Sequence, residues 1–188
     1  MEKKRITTDE LIAKYPKIFV DYEGNPGRVN WYGVPDGWLP IIDKLCRSIQ
    51  NYIDHTSRSV PNPDYIEGKE YDRSDKTTHK FIQQKPEQVT CVQMKEKFGG
   101  LRFYENGADK QVDGMISMAE DLCDHTCERC GSEENIGYTT GWVTVCCKPC
   151  FDAGKGARGE WKTKNPIKEA TIKINLAKEE LLKTKTDL

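Results

Sequence analysis

The sequence predicts an α+β fold, in which helices pack on a small antiparallel β-hairpin or sheet. Apolar residues recur at intervals of three and four in several segments, as they do on the buried face of a helix. Two strand-like segments flank a Gly-Gly pair of the kind that hairpin turns use. Near the C-terminus, two C-x-x-C pairs are separated by sixteen residues. That spacing is typical of a zinc ribbon, which we expect to follow the body and to precede a terminal helix.

Two helices are predicted in the N-terminal third. Thr8 is a typical N-cap residue, and the helix is expected to end near Tyr15 because Pro16 disfavours helix at the residue before it. Asp36 is expected to cap a second helix, which tolerates Pro40 in its first turn. The apolar stripe of this helix consists of Ile42, Leu45, Cys46, Ile49 and Ile53. We interpret Cys46 as a core thiol, since free cysteine packs as a small hydrophobe.

A polar segment and then a hairpin come next. Residues 56–80 contain few apolar residues and several Pro, Asp and Gly, so we predict a long loop or insertion there. Residues 89–98 and 101–104 are predicted strands, joined by Gly99-Gly100 as a two-residue turn. In that register Lys97 lies opposite Arg102, while Leu101 and Phe103 face the core.

Candidate binding residues outside the cysteine pairs are Lys97, Arg102, Tyr104 and Trp31. Like charges that face each other across a ladder are unfavourable, so three alternatives are open: the register slips, Lys97 and Arg102 bind an anion or a carboxylate, or both side chains are solvated and spread apart. Trp31 lies in an aromatic segment that either folds over the core or forms a binding surface. The sequence contains no nucleophile–base spacing, phosphate loop or H-E-x-x-H motif, so no catalytic residue is assigned.

A third helix is expected to lead into the cysteine-rich segment, with Asp109 as its cap. Its core-facing residues are Val112, Met115, Ile116, Ala119, Leu122 and Cys123. Met115 and Met118 are interpreted as packing residues rather than as part of a cofactor site. We therefore divide the chain into an α+β body at 1–126, a zinc ribbon at 127–151, and a linker with a basic helix at 152–188.

Four cysteines are the predicted metal ligands: Cys127, Cys130, Cys147 and Cys150. A C-x-x-C pair directs two thiolates at one ion, and two such pairs complete a tetrahedral site with no open position. Such a closed site is structural, and the expected ion is Zn²⁺. Cys146 competes with Cys147 for the third position but would make a less usual C-x-x-x-C pair. His125 is also a ligand type, although its closeness in sequence to Cys127 makes it difficult to aim at the same ion.

The ribbon between the cysteine pairs is predicted to be a hairpin. Its strands are residues 136–139 and 142–145, joined by a turn at Thr140-Gly141. A domain of this size has little core, so the metal is expected to supply its stability.

The segment after the ribbon is locally basic. Residues 155–188 contain nine Lys or Arg and five Asp or Glu, a net charge of +4, against −1 for the whole chain. The rest of the chain therefore carries −5, since −1 minus +4 is −5. Asn165-Pro166 begins the predicted helix. The positive charge of this segment could bind nucleic acid or an acidic protein partner, or the charged side chains could simply form a solvated face of the helix.

Length, composition and hydropathy indicate the cellular environment in which we expect the protein to fold. The chain has 188 residues, of which 31% are charged, and it contains no apolar segment of the roughly 18 residues that a membrane span needs. The basic start at residues 1–5 has no apolar run behind it, so no secretory signal is expected. Eight cysteines are then expected to be thiols and metal ligands in a reducing cytoplasm.

Several phrases carry a resemblance to known proteins. They are KYPKIF (14–19), DGW (36–38), KFGGLRFY (97–104), and CxxCG (127–131) followed by GW (141–142) and Cys147. In this order they resemble a largely uncharacterised family of small proteins encoded by phages and bacteria, over roughly residues 8–150. In that family a ligand-type residue follows the Gly-Trp strand, which favours Cys147 over Cys146. The resemblance implies a phage or prophage accessory protein and brings no activity or substrate with it.

The leading functional hypothesis is a zinc-stabilised, non-enzymatic binding or adaptor protein that acts on a host or phage macromolecule. The near-neutral charge of the chain favours a protein partner, because tight phosphate binding normally needs a basic face. One alternative is a small enzyme or anion-binding protein that uses Lys97, Arg102 and Tyr104. Another is a nucleic-acid-binding zinc-ribbon protein that uses the basic C-terminal segment.

Overall fold

A computed structural model describes residues 6–21, 23–26, 32–61, 79–83, 86–154 and 158–164. In these ranges the fold is α+β, as predicted, with helices beside small sheets. The helices are α1 (Thr8–Lys14), α2 (Leu39–His55), α3 (Lys110–Asp124) and α4 (Lys148–Asp152). The strands are β1 (Tyr32–Gly33), β2 (Ser57–Pro61), β3 (His79–Gln83), β4 (Thr90–Lys97), β5 (Gly100–Asn106), β6 (Ile136–Thr139), β7 (Val145–Cys147) and β8 (Trp161–Thr163). Trp31 and the predicted terminal helix from residue 165 lie outside the described residues.

The first helix begins one residue away from the prediction. Thr7 rather than Thr8 is the N-cap, and its hydroxyl accepts a hydrogen bond from the Glu10 N–H at 3.2 Å. The Glu10 carboxylate accepts the Thr7 N–H in return at 2.9 Å. This reciprocal capping box places the cap three residues before the glutamate, which decides between the two threonines.

The second helix has the predicted buried stripe, because all five of its members are buried. Asp36, however, does not cap it. Asp36–Trp38 forms a short 3₁₀ helix, and Trp38 is the N-cap of α2. The Gly37 N–H donates to Glu128 O at 2.9 Å, and the Trp38 indole N–H donates to Thr126 O at 2.9 Å. The D-G-W phrase therefore joins the body to the cysteine-rich domain.

The central sheet has the strand order β1-β4-β5, with β4 and β5 antiparallel and β1 parallel to β4. The predicted turn is wrong by one residue, because Phe98 and Gly99 form it, with φ of 54° and 77°. Two positive φ values in a two-residue loop are those of a type I′ turn, whose twist matches the strands. Consequently Lys97 pairs with Gly100, and Lys95 rather than Lys97 lies opposite Arg102.

The predicted loop at residues 56–80 is wrong at both ends. β2 and β3 pair there as an antiparallel ladder, from Ser57 opposite Gln83 to Pro61 opposite His79. No strand signal is visible in the sequence here, because residues 57–59 are all polar and Phe81 and Ile82 are adjacent, so neither strand shows an apolar period of two.

The third helix is capped as predicted, since Asp109 accepts the N–H groups of Gln111 and Val112 at 3.0 Å. Its fully buried residues are Val112, Ile116, Ala119 and Cys123. Leu122 was predicted to face the core but is 46% exposed, and Met118 is 66% exposed. The buried stripe is thus narrower than the apolar pattern, because α3 packs mainly against α2 and β5.

The ribbon contains one strand more than predicted. β6 has β7 on one side and β8 on the other, both antiparallel. The second ribbon strand was predicted at residues 142–145, whereas β7 begins only at Val145. The Trp161 indole N–H donates to Cys146 O at 3.0 Å, which secures β8 to the ribbon.

A polar contact connects α1 with α2. Lys14 Nζ lies 2.7 Å from Asp43 Oδ1, and the Tyr15 hydroxyl donates to the same oxygen at 2.7 Å. Burial raises the pKa of Asp43, but these two hydrogen bonds outweigh it and hold the pKa below its usual value.

Asp43→Asn is expected to lower the free energy of unfolding at neutral pH by about 1 kcal/mol, a modest value because Lys14 is half exposed. A lowered folded pKa means that this stability is present above the unfolded pKa of about 3.9 and is lost as pH falls through the folded value. Urea unfolding of wild type and of Asp43→Asn at several pH values between acid and neutral measures the difference in the free energy of unfolding. Lys17→Gln is the control, because Lys17 lies 3.8 Å from Asp54 in an exposed pair. A deficit that persists at the acid end would contradict the assignment.

Candidate functional site

The four predicted ligand cysteines come together in the structure. The Sγ atoms of Cys127, Cys130, Cys147 and Cys150 all lie within 4.8 Å of one another. All of these residues are buried except Cys130, which is half-buried. Four convergent thiols at this separation could hold a metal ion with no position left for a substrate.

The first cysteine pair lies in a tight turn. The Cys127 N–H donates to Ser132 O at 2.8 Å, and the Gly131 N–H donates back to Cys127 O at 2.9 Å. Gly131 has φ of 68°, which favours glycine, and a Cβ there would lie 2.9 Å from Gly37 O. The turn therefore directs the thiols of Cys127 and Cys130 toward one point, and Gly131 packs against Gly37 of the body.

The second pair is placed by a strand and a short helix. Cys147 ends β7 and precedes α4, whose first turn contains Pro149 and whose buried residue is Cys150. Successive side chains of a strand point to opposite faces, so Cys146 points away when Cys147 points at the cluster. Cys146 is buried and lies outside the group of four, where burial raises the pKa of its thiol to about 11.

The thiols of the cluster have unequal acidity. Burial raises the pKa of Cys127, but the backbone N–H groups of Cys147, Cys130 and Arg129 outweigh it and lower the pKa to about 7. Burial and the neighbouring thiols raise the pKa of Cys150. Cys127 thus forms a thiolate more readily than Cys147 or Cys150. A divalent cation would displace the protons of the ligand thiols, because the thiolate is the form that binds metal.

The other ligand candidate is not in the cluster. His125 is the C-cap of α3, where its Nδ1 lies 2.9 Å from Asp121 O. His55 is similarly placed at the end of α2, with Nδ1 3.1 Å from Asn51 O.

Glu128 connects the cluster to the rest of the ribbon. Its carboxylate is buried and accepts the Val145 N–H at 2.6 Å, while its own N–H donates to Val145 O at 3.0 Å. Burial raises the pKa of this carboxyl to about 7, and the charge of Glu96 adds to the effect. Glu128, which directly follows Cys127, therefore fixes the start of β7. Its carbonyl also accepts the hydrogen bond from the Gly37 N–H of the body.

Beside the cluster, the tip of the β4–β5 hairpin meets the loop between β6 and β7. A Cβ on Gly99 would lie 2.9 Å from Val143 Cγ1, so the two tips are in close contact. They enclose a groove of about 200 Å³. We call it the junction groove, and its lining residues are Glu96, Lys97, Phe98, Gly141, Trp142 and Val143.

Two aromatic rings stand out of the junction groove into solvent. Phe98 is 78% exposed and Trp142 is 75% exposed. The buried Thr139 hydroxyl donates to Trp142 O at 2.7 Å and accepts the Thr144 N–H at 3.0 Å, which fixes the loop that carries Trp142. Sequence reasoning missed both rings because it assigned Phe98 and Trp142 to strands. Reading Phe98-Gly99 as the two-residue turn would have placed Phe98 at the tip.

The predicted binding residues of the hairpin share one face. Lys97 lies near Phe98, with Nζ 5.5 Å from the ring centroid. The Arg102 guanidinium donates to Leu101 O at 2.6 Å. Tyr104 is 45% exposed, and its ring lies 5.1 Å from Lys95 Nζ. Arg102 and Tyr104 thus share a face of the sheet, and Lys95 rather than Lys97 lies opposite Arg102 on that face.

Comparison of the chain with protein-family models, with curated proteins and with solved structures found no match. Among the described residues, no helix is long and apolar enough to cross a membrane.

Phe98→Gly is expected to leave the free energy of unfolding within about 1 kcal/mol of wild type. The left-handed conformation costs an L residue about 1–2 kcal/mol, glycine adopts it freely, and the exposed ring loses little buried area. Chemical denaturation of both proteins measures the difference. The matched control is Leu101→Ala in the same hairpin, which is fully buried and should cost about 2–5 kcal/mol. A loss above about 2 kcal/mol for Phe98→Gly would make the ring a structural element.

Proposed function

We propose that this protein is a zinc-stabilised, non-enzymatic binding protein. Four thiol ligands favour Zn²⁺ over hard cations such as Mg²⁺ or Ca²⁺, which take oxygen ligands. The set is closed, so the ion has a structural role. Support for the binding role comes from the neighbouring surface rather than from the metal.

The observation that carries the proposal is the path from the cysteine cluster to the exposed rings. Cys127 is followed by Glu128, whose two hydrogen bonds with Val145 place the start of β7. Val145, at the start of β7, also packs against Gly99 of the β4–β5 hairpin. The loop between β6 and β7 presents Trp142 beside Phe98. A metal at the cluster would therefore hold the junction groove in shape, and the groove would contact the partner.

The resemblance to phage and bacterial proteins gives the proposal its biological setting. We infer a phage or prophage accessory role in the host cytoplasm, where thiols remain reduced and can bind metal. The target is then a macromolecule of the host or of the phage.

Elemental analysis of reduced wild-type protein is expected to give one zinc per chain. Cys147→Ala should lose the ion, because it removes one of the four ligands, whereas Cys146→Ala should keep it. The two variants delete the same thiol from neighbouring positions of one strand, so they form a matched pair. Protein without metal, or metal lost equally from both variants, would refute the zinc assignment.

The binding role is tested by affinity capture from a bacterial lysate, with wild type and the double variant Phe98→Gly/Trp142→Ala in parallel. Wild type is expected to retain a macromolecule that the variant does not, because the variant removes both exposed rings of the junction groove. Retained proteins are identified by mass spectrometry and retained nucleic acid by nuclease digestion. Zinc content and thermal unfolding must match wild type for the comparison to count. Equal retention by both proteins, or none by either, would contradict the proposal.

A further inference from the structure

A second groove lies between α2 and α3 and shares no residue with the junction groove. It has a volume of about 270 Å³, and we call it the interhelical groove. Leu45 and Ala119 are buried within it, whereas Met118 and Leu122 are exposed. Its apolar lining consists of Ile41, Leu45, Met115, Met118, Ala119 and Leu122.

The exposed part of this groove belongs to the apolar side of α3. Met115, Met118 and Leu122 follow one another at intervals of three and four, the spacing of a helix face that is covered by another element. Among the described residues, α3 packs mainly against α2 and β5, and that packing leaves Met118 and Leu122 exposed. A contiguous apolar patch of this kind marks an interaction surface.

Lys164, the last described residue, lies beside one end of the interhelical groove. β8 is antiparallel to β6, so its backbone runs past β6 toward the loop that precedes that strand. The Lys164 N–H donates to Ile136 O at 3.0 Å, and Glu133, which lines the groove, is three residues before Ile136. Lys164 Nζ donates to Asp124 O, two residues beyond Leu122. The chain therefore leaves β8 at the end of the groove that Leu122 and Glu133 form.

The sequence after Lys164 contains an apolar stripe of its own. Asn165-Pro166 is a typical helix start, and the residues that follow it lie outside the described ranges. Apolar residues recur there at intervals of three and four, which is the pattern of one helix face: Ile167, Ala170, Ile174, Ala177 and Leu181. Two members of the stripe are alanine, whose small side chain lets a helix approach its neighbours closely.

The length of this stripe and its distance from Lys164 both match the groove. Two residues separate Lys164 from Ile167, and an extended chain spans that interval with a reach of about 10 Å. α3 has 15 residues, as do residues 167–181, and a helix of this length spans about 22 Å. The Trp38 indole reaches Thr126 O, so the start of α2 lies beside the end of α3. A helix that enters at that end would run antiparallel to α3 along the groove.

We propose that residues 167–181 dock as an amphipathic helix in the interhelical groove, antiparallel to α3. Ile167 then contacts Leu122, and Ile174, about 10 Å further along the helix, packs against Met115 and Met118. The inference goes beyond the binding role of the junction groove and does not depend on it. The basic C-terminal segment is then a part of the body, with its lysines toward solvent, rather than a free arm.

The test is methyl NMR of reduced, full-length protein labelled at its methionines. The chain has four methionines, of which Met115 and Met118 line the groove and Met94 is fully buried in the core. Ile174→Asp puts a carboxylate against the groove, so the signals of Met115 and Met118 should shift toward those of exposed methionine while the Met94 signal stays. Asn175→Asp is the matched control, because it adds the same carboxylate one residue outside the stripe. It should shift none of these signals.

A double-mutant cycle tests the same docking with milder substitutions. Leu122→Ala and Ile167→Ala should each lower the midpoint of thermal unfolding. Their combined loss should be smaller than the sum of the two, because both remove the same contact. Leu122→Ala combined with Asn175→Ala is the control, and its losses should add. If Ile174→Asp also shifts the Met94 signal, that variant has lost the fold and the cycle decides.

Other occupants of the groove give other results. Signals of Met115 and Met118 that move with protein concentration would place a second copy of the chain there and overturn the proposal. Signals that are indifferent to Ile174→Asp, or that Asn175→Asp shifts equally, also overturn it, as does an additive cycle for Leu122→Ala and Ile167→Ala. None of these outcomes affects the test of the junction groove, which depends on different residues.

Discussion

The contact between Gly37 and the first cysteine turn determines how the two parts of the molecule fit together. A Cβ at Gly37 would lie 2.1 Å from Cys127 O, so only glycine allows this approach. The Gly37 N–H then reaches Glu128 O, and the buried Trp38 indole reaches Thr126 O. Because these bonds involve the residues around Cys127, the position of the cysteine cluster depends on the packing of the body. The junction groove depends on the same contact, since it lies between a hairpin of the body and a loop of the ribbon.

The ribbon could not provide that position by itself. Its buried cluster has six members, and three of them, Cys127, Cys147 and Cys150, belong to the group of four that could hold a metal. The other buried members are Ile136, Val145 and Cys146, and Phe151 and Trp161 are only partly buried, so little apolar area is available to offset the entropy of ordering the segment. A metal at the four cysteines would contribute what the core lacks, since structural zinc contributes on the order of 10–16 kcal/mol in zinc-finger peptides.

The features that were predicted correctly from the sequence are those determined by residues close to one another in the chain. The stripe of α2, the Asp109 cap and the cysteine spacing depend on local periodicity and local hydrogen bonds, and each has its counterpart in the structure. The errors arise where distant residues decide. β8 exists because Trp161 reaches Cys146 O across the ribbon, and Asp36–Trp38 becomes a junction because Glu128 and Thr126 supply acceptors. The hairpin turn moved by one residue because Phe98 occupies a left-handed conformation that propensity assigns to glycine.

The outer edge of β5 and the tip of its hairpin differ in a way that bears on the role of Phe98. β5 is the outer strand of its sheet, yet its Phe103 N–H donates to the Glu120 side chain at 3.1 Å and its Leu101 carbonyl accepts from Arg102. Side chains thus occupy backbone groups that another strand could otherwise pair with. The tip of the same hairpin is different, because a strained residue presents its ring to solvent where glycine would be easier. A local cost without a packing gain points to recognition rather than to stability as the reason for this side chain.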